Sequence, residues 1–431
     1  MDPEIDDIVD AAEALLSRRF GGTQQLSGVE ELGGSDRSVV LRARVAHSPF
    51  LPHRSVIVKH VPVTGSPVDD AALVREIVAY QFTNSLAEEV RPGPVLLAHD
   101  VDQRIVVLTD LGSSSTLIDA LHGASEDDRV ALFRSLGGAL GRLHAGTAGK
   151  DAAFDVLLRR QLKRHPNYAA SQTLRDDALD SSIPLGIRVL QTAGVDVPDE
   201  VRDMAAAARK SLRSSRELAF TPFDLSPDNV IYADRIHLLD YEWAGFRNVA
   251  FDLGSVISGF PQYLFVSPVT DREVDTFLTA WTREIREVWP KLAEPAHQKE
   301  SVLTALVGWA MSSLATMSLG GLEHLSAFLE DSDGFNAPTS VDPGADSVST
   351  VHAVPTSGIV SGAHLLRTVD RTEFSDDELL IRRDLYESFE ALARYAAAFD
   401  GSGPDDEVNG AHRSVARFAA EVATRLGTPK N

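Results

Sequence analysis

The sequence predicts an α+β protein: a small antiparallel-sheet lobe over residues 1–112, then a larger, mainly helical lobe over 113–431. Three observations carry this. Strand-like alternation rich in β-branched residues dominates about 25–61 and 94–112, with one helical stretch between them. Beyond Gly112 the apolar spacing is helical almost throughout. A single clear strand pair, inside residues 220–245, interrupts those helices.

Residues 4–20 place Ile8, Ala11, Ala12 and Leu15 at helical spacing. "SVVLRARV" (38–45) and "RSVIVKHV" (54–61) predict strands, the first preceded by Gly33 and Gly34. Within 71–86, Leu73, Ile77, Tyr80 and Leu86 fall near one face of a helix. "PVLLAHDVDQRIVVLTDLG" (94–112) predicts two strands with a turn at Asp100 to Gln103. "RVALFRSLGGALGRLHAG" (129–146) predicts a helix ending at a glycine cap, and 151–216 holds two or three more. Further helices are expected around 271–289, 300–330, 376–399 and 409–426. Residues 331–358, rich in Ser, Pro, Gly and Asp, read as a mobile loop or insert.

Composition narrows the partners. The 41 Lys and Arg stand against 63 Asp and Glu, a net charge of −22. Such a surface repels nucleic acid and anionic membrane and would tolerate a cationic substrate, although solubility alone is the better account of the acidity. With no cysteine, disulfides and thiolate metal sites are excluded. The acidic start, MDPEIDDIVDAAEALL, has no basic n-region, and no apolar run reads as the roughly 18–20 residues of a spanning helix. The expectation is a soluble cytoplasmic protein with neither membrane nor nucleic acid as partner.

The chemistry concentrates in "FTPFDLSPDNVIYADRIHLLDYEWAG" (220–245). Asp224, on a loop before a strand, is placed to orient a hydroxyl or take its proton. Asn229 and Asp240 are hard oxygen donors at the two ends of an expected hairpin turning at Ala233-Asp234. Pairing its strands brings them together, a geometry suited to Mg²⁺. Turn chemistry accounts for Asp224 or Asn229 taken singly. Asp240, however, follows "RIHLL", where a buried strand prefers an apolar residue, and the trio together points to a site for metal and phosphate. Lys59 interrupts the apolar "VIVK" and needs a partner, for which Glu76 on the next helix is the candidate. A snorkelling edge lysine and a solvated glutamate are the alternatives for each alone.

The D-x4-N followed eleven residues later by D-x-E resembles the catalytic and metal loops of the aminoglycoside phosphotransferase and choline kinase family. The resemblance covers roughly residues 20–260 and rests on the order of its parts: glycine turn, strand lysine, helix glutamate, hinge, helix, catalytic loop and metal hairpin. It implies a bilobal protein-kinase-like fold, with 1–112 as the nucleotide-binding lobe, and an ATP- and Mg²⁺-dependent transfer to a hydroxyl of a small molecule. In that frame Asp224 is the catalytic base, Asn229 and Asp240 bind Mg²⁺, and Glu242 is an auxiliary ligand. Asp252, in "AFDLGS", braces the catalytic loop. Lys59, paired with Glu76, holds the nucleotide phosphates; Gly33, Gly34 and Ser35 form the phosphate loop; and backbone groups of Thr109, Asp110 and Leu111 hydrogen-bond adenine in the hinge.

Two positions depart from the family pattern. Pro222 stands where the loop usually carries His, and Asp228 where a glycine commonly precedes the Asn. Only eleven residues separate Asp240 from Asp252, too few for a platform that docks a polypeptide, so a small hydroxylated acceptor of aminoglycoside, sugar or amino-alcohol type is the better reading. Several features leave the acceptor open: acidic Asp176, Asp177 and Asp180; "SDDE" at 375–378, which fits a helix cap better; the aromatics Tyr241, Trp243 and Phe246; and the basic run 159–165. The alternative function is a catalytically weak nucleotide-binding pseudokinase with a regulatory role, suggested by Pro222 and the long carboxy-terminal half.

Overall fold

Period-two alternation builds the amino-terminal sheet. The computed structural model describes residues 5–32, 38–112, 114–261, 268–319, 325, 362–369, 371–398 and 406–427. Five strands, β1 (Leu26–Glu31), β2 (Val39–Val45), β3 (Ser55–His60), β4 (Leu96–Asp100) and β5 (Ile105–Thr109), form one antiparallel sheet in the order β1-β2-β3-β5-β4. Helix α1 (Ile5–Phe20) lays Ile8, Ala12, Leu15 and Leu16 on one face, where Leu41, Val56, Val58, Ile105 and Val107 complete a core. Successive strand residues point to opposite faces, so Val40, Lys59 and Val106, aligned across β2, β3 and β5, turn away from that core. The turn between β4 and β5 falls where expected, with Asp100 Oδ1 accepting the amides of Asp102 and Gln103 at 2.9 and 3.0 Å.

The chain forms two compact units. The first comprises residues 1–169, 217–249 and 272–290 and therefore holds both the sheet and the 220–245 segment. After the short α2 (Pro67–Asp70), helix α3 (Ala72–Asn84) is buried from Ala72 to Tyr80, Arg75 and Glu76 included. Then come β6 (Ser115–Thr116), α4 (Leu117–Leu121), α5 (Glu126–Thr147) and α6 (Asp151–Arg164). Helix α5 continues past Gly146 and ends at Thr147; the left-handed residue is Gly149, with φ +70°. Gly146 lies inside the helix because the side chain of Val90 leaves no room for a Cβ, at 2.4 Å.

The second unit comprises residues 170–216, 250–271 and 291–431 and is helical among its described residues. It contains α7 (Ala169–Thr192), α8 (Asp199–Arg213), α9 (Ala250–Ile257), most of the helices near the carboxy terminus (Asp376–Ala397 and Asp406–Leu426), and a long helix, Pro295–Leu319. Contrary to the sequence expectation, that long helix is apolar and long enough to cross a membrane by length and composition. In the fold, 83% of its apolar window is buried inside the protein, as in the central helix of a helical core. Ser375 caps Asp376–Ala397 with Glu378 completing a capping box, which accounts for the acidic "SDDE". The insert expected at 331–358 lies outside the described residues.

In the first unit, four strands lie between 218 and 248 where sequence suggested two. The hairpin of β8 (Val230–Tyr232) and β9 (Ile236–Leu238) pairs with β6, while β7 (Leu218–Thr221) and β10 (Gly245–Asn248) form a separate two-stranded sheet. The pairing sets Phe220 opposite Phe246, and both rings pack with Phe82 and Phe154. Tyr241 and Trp243 are likewise buried, so these aromatics serve packing.

Candidate active site

Lys59 leaves the sheet on the face opposite α1 and meets two carboxylates. Its Nζ lies 2.9 Å from Glu76 Oε1 and 3.1 Å from Asp240 Oδ1. Its side chain is only 14% exposed and that of Glu76 only 3%, so each charge needs the other. Burial alone would lower the lysine, but the charges of Asp240 and Glu76 outweigh it and hold the ammonium far above its usual range. Glu76 is pushed up to about 6 by burial, with Lys59 pulling against that shift, and is ionised at neutral pH.

Asp240 reaches this junction because β9 ends just before it, in the left-handed region at φ 55°, which Asp tolerates better than most residues. Three contacts hold it there. Leu239 N donates to Asn229 O at 2.8 Å, closing the hairpin beyond its last strand pair and bringing Asn229 beside Asp240, as its strand pairing predicts. Tyr80, one turn after Glu76 on α3, hydrogen-bonds the Asp240 backbone through its hydroxyl. The Tyr80 ring lies 4.7 Å from that of Tyr241, whose hydroxyl donates to Leu238 O at 2.7 Å. Gly93 completes this corner: a Cβ there would stand 2.2 Å from Leu238 O and 2.6 Å from the Tyr241 hydroxyl. Gly93→Ala is therefore expected to destabilise the fold by about 1–3 kcal/mol, read as a lower urea midpoint with an unchanged slope.

Asp224 is held by turn chemistry and by the site at once. Its Oδ1 accepts the Ser226 amide at 3.1 Å and the Ser226 hydroxyl, while Oδ2 accepts Asn229 Nδ2 at 3.2 Å. Burial raises its pKa to about 6; the Ser226 hydrogen bonds oppose the shift, and the charges of Asp240 and Asp228 add to it. The preceding residue, Phe223, sits at φ 70°, a strained conformation for a bulky side chain. The Arg247 guanidinium lies over its ring at 4.7 Å and donates to Trp243 O at 2.7 Å, tying the loop to the β10 strand.

Lys59, Glu76, Asn229 and Asp240 line one cleft of about 500 Å³. Apolar residues from the sheet (Val40, Ile57, Leu108) and from the hairpin (Ile231, Leu239) also line it, as do Thr109, Asp110 and Leu111. Asp224 does not line this cleft and is linked to it through Asn229. The Thr109 amide is taken by Val95 O at 2.9 Å, and its hydroxyl accepts Val95 N at 2.9 Å. Asp110 is clasped by Arg42, at 3.0 and 3.3 Å, and accepts the Gly112 amide at 2.9 Å. Burial would raise the Asp110 carboxyl, but the bonds from Ser55, Gly112 and Arg42 hold it below its ordinary value. Gly33, Gly34 and Ser35 lie outside the described residues.

Sequence reading did not single out Tyr80, Ser226, Gly93 or Arg42. Tyr80 carried a signal, since a position four after Glu76 shares its helix face. Arg42 carried the same signal as Lys59, a charge inside an apolar strand. Gly93, within "RPGPV", reads simply as a turn.

The donor set fits Mg²⁺. Asn229 and Asp240 offer hard oxygens, and among the described residues no cluster of three or more His, Cys, Asp or Glu is arranged to hold a metal. Two protein donors completed by phosphate oxygens and water is how Mg²⁺ is usually held beside a nucleotide.

Residues 69–295 match the model of the phosphotransferase enzyme family (APH), and the chain belongs to that family. With its antiparallel sheet followed by helices, the fold is the α+β protein-kinase-like one expected from the sequence. No curated protein matches the chain. Among solved structures, it resembles APH(2'')-IIa in a ternary complex with streptomycin and ATP, with 14% identity over 72% of this chain and 90% of that one, at a TM-score of 0.41. Choline kinase LicA from Streptococcus pneumoniae gives 15% identity over 77% and 93%, at 0.40. A glucosamine kinase gives 14% over 78% and 100%, at 0.31.

Proposed function

We propose that this protein transfers the γ-phosphoryl group of ATP, with Mg²⁺, to a hydroxyl group of a small molecule. The observation that carries the reading is the junction of Lys59 with Glu76 and Asp240, joined through Asn229 to Asp224. Residues up to 112 supply the nucleotide-holding part, with the planar base between apolar side chains of the sheet and of the hairpin. Lys59 holds the α- and β-phosphates, and Glu76 keeps its ammonium aimed into the cleft. Asn229 and Asp240 would hold Mg²⁺, which when bound offsets charge on the phosphates.

Asp224 is ionised at neutral pH, with Ser226 and Asn229 fixing its orientation. It accepts the proton of the acceptor hydroxyl as the new O–P bond forms; the bond from the γ-phosphorus to the bridging oxygen breaks, and ADP leaves with that electron pair. Eleven residues between Asp240 and Asp252 favour a small acceptor over a polypeptide. The candidate acceptor classes are those of the family, namely aminoglycosides, amino sugars, sugars and amino alcohols, with cationic members favoured by the charge of −22.

The test is ADP release from Mg·ATP by the full chain against each pool. Turnover in one pool is expected, with kcat/KM losing about tenfold per pH unit below an acid limb near 6, where Asp224 takes up a proton. ATP bound without turnover in any pool would favour a pseudokinase instead.

A further inference from the structure

A second cleft lies in the first unit and shares no lining residue with the one around Lys59. It measures about 610 Å³, with Leu15, Leu96 and Leu97 among its apolar lining. Its titratable lining is entirely basic: Arg18 and Arg19 from the end of α1, Arg160 from α6, and His99 from β4. In a chain of net charge −22 this concentration runs against composition. Arg18 stands 3.9 Å from Asp100, both partly in solvent, a weak tie. Arg19 and Arg160 are exposed and have no ion-pair partner among the described residues.

His99 lies beside them. Gln81 Oε1 accepts Gln161 Nε2 at 3.4 Å, so the nitrogen of Gln81 is the atom that faces His99 Nε2, at 2.8 Å. An amide nitrogen can only donate, which leaves the neutral imidazole proton on Nδ1. That Nδ1 is buried and has no hydrogen-bond partner in the protein. Burial holds the ring below its ordinary pKa; Asp100 opposes this, and Arg164, His165 and Arg19 reinforce it. The cleft thus offers three guanidinium groups, beside an imidazole ring whose buried N–H has no partner in the protein.

We propose that this cleft binds a small phosphorylated metabolite carrying at least two negative charges, gripped by Arg19 and Arg160 with Arg18 as a further donor. The guanidinium fork matches phosphate oxygens two at a time, and a dianion satisfies what the acidic remainder of the chain cannot. Gln81 lies on α3, five residues after Glu76, so an occupant touching the Gln81–His99 pair stiffens the helix that carries the partner of Lys59.

Tripolyphosphate serves as the probe, titrated calorimetrically into the full chain and into Arg19→Ala/Arg160→Ala. Both arginines are exposed, so the double variant keeps its fold. Binding is expected to weaken about tenfold or more in that variant, to return partly in Arg19→Lys/Arg160→Lys, and to fall with added salt. Hydrogen exchange should show protection at the end of α1 and along α6. No heat of binding, an affinity unchanged in the double alanine variant, or protection confined to 220–245 would each overturn the proposal.

Discussion

Asp224→Asn is expected to lower turnover by about 10²–10⁴-fold while leaving the fold intact and, above about pH 6, more stable than the parent. The loss follows from the role proposed for this carboxylate, because an amide cannot take the hydroxyl proton. The gain follows from its surroundings. Its folded pKa of about 6 exceeds the roughly 3.9 of a free Asp, so the protonated form is the one the fold prefers. Its favourable contribution is fully present below the unfolded value and disappears as pH rises through about 6, where the bare charge remains, disfavoured by burial and by Asp240 and Asp228. Asn removes that charge and keeps an oxygen for Ser226. Thermal melts of parent and variant should coincide near pH 4, separate as pH rises to about 6 and stay apart above it. A variant that melts lower than the parent at every pH would mean that the carboxylate supports the loop rather than burdens it.

Lys59→Met should give the largest loss of stability. The substitution is close in length and removes the ammonium that neutralises Glu76 and Asp240. Breaking one partner out of a buried pair costs about 3–5 kcal/mol, because the remaining charge stays desolvated. The penalty depends on pH with a defined sign. Without Lys59, nothing opposes the upward pull of burial on Glu76, so its pKa rises above the present value of about 6. The variant recovers stability on acidification, as Glu76 takes a proton, and loses it again as pH rises. Urea denaturation of Lys59→Met and of Lys59→Met/Glu76→Gln at about pH 5 and about pH 8 separates the contributions. The double variant should regain much of the loss at the higher pH. Equal midpoints for the two variants would place the penalty on Asp240 instead.

The sheet, its helices and the Lys59–Glu76 pair were legible because burial imposes period on sequence. Alternation in "SVVLRARV" and "RSVIVKHV" fixes which residues share a face, and an interior lysine in such a strand announces a counter-charge. The β8–β9 hairpin was legible for the same reason, and with it the meeting of Asn229 and Asp240. The β7–β10 pairing was not, since it joins strands twenty-odd residues apart through aromatic contacts that have no local period. The membrane-length helix was missed, and its composition alone is ambiguous: a buried helix and one that spans lipid share the same apolar character, and only packing tells them apart. Gly93 matters through close approaches made across a long sequence distance, which no window of neighbours reveals, whereas Tyr80 was readable only as a helix-face neighbour of Glu76.

Phe223 and Asp240, near the two ends of the site segment, both occupy left-handed backbone without being glycine. Neither shape is what the residue would choose alone; each is dictated by neighbours, through Arg247 at one end and through Tyr80 and the hairpin at the other. The segment is therefore an imposed conformation, and its geometry is inherited from the surrounding frame rather than encoded within itself. A peptide of residues 220–245 should be shapeless in water, and grafting it into another protein should transplant the residues without the site.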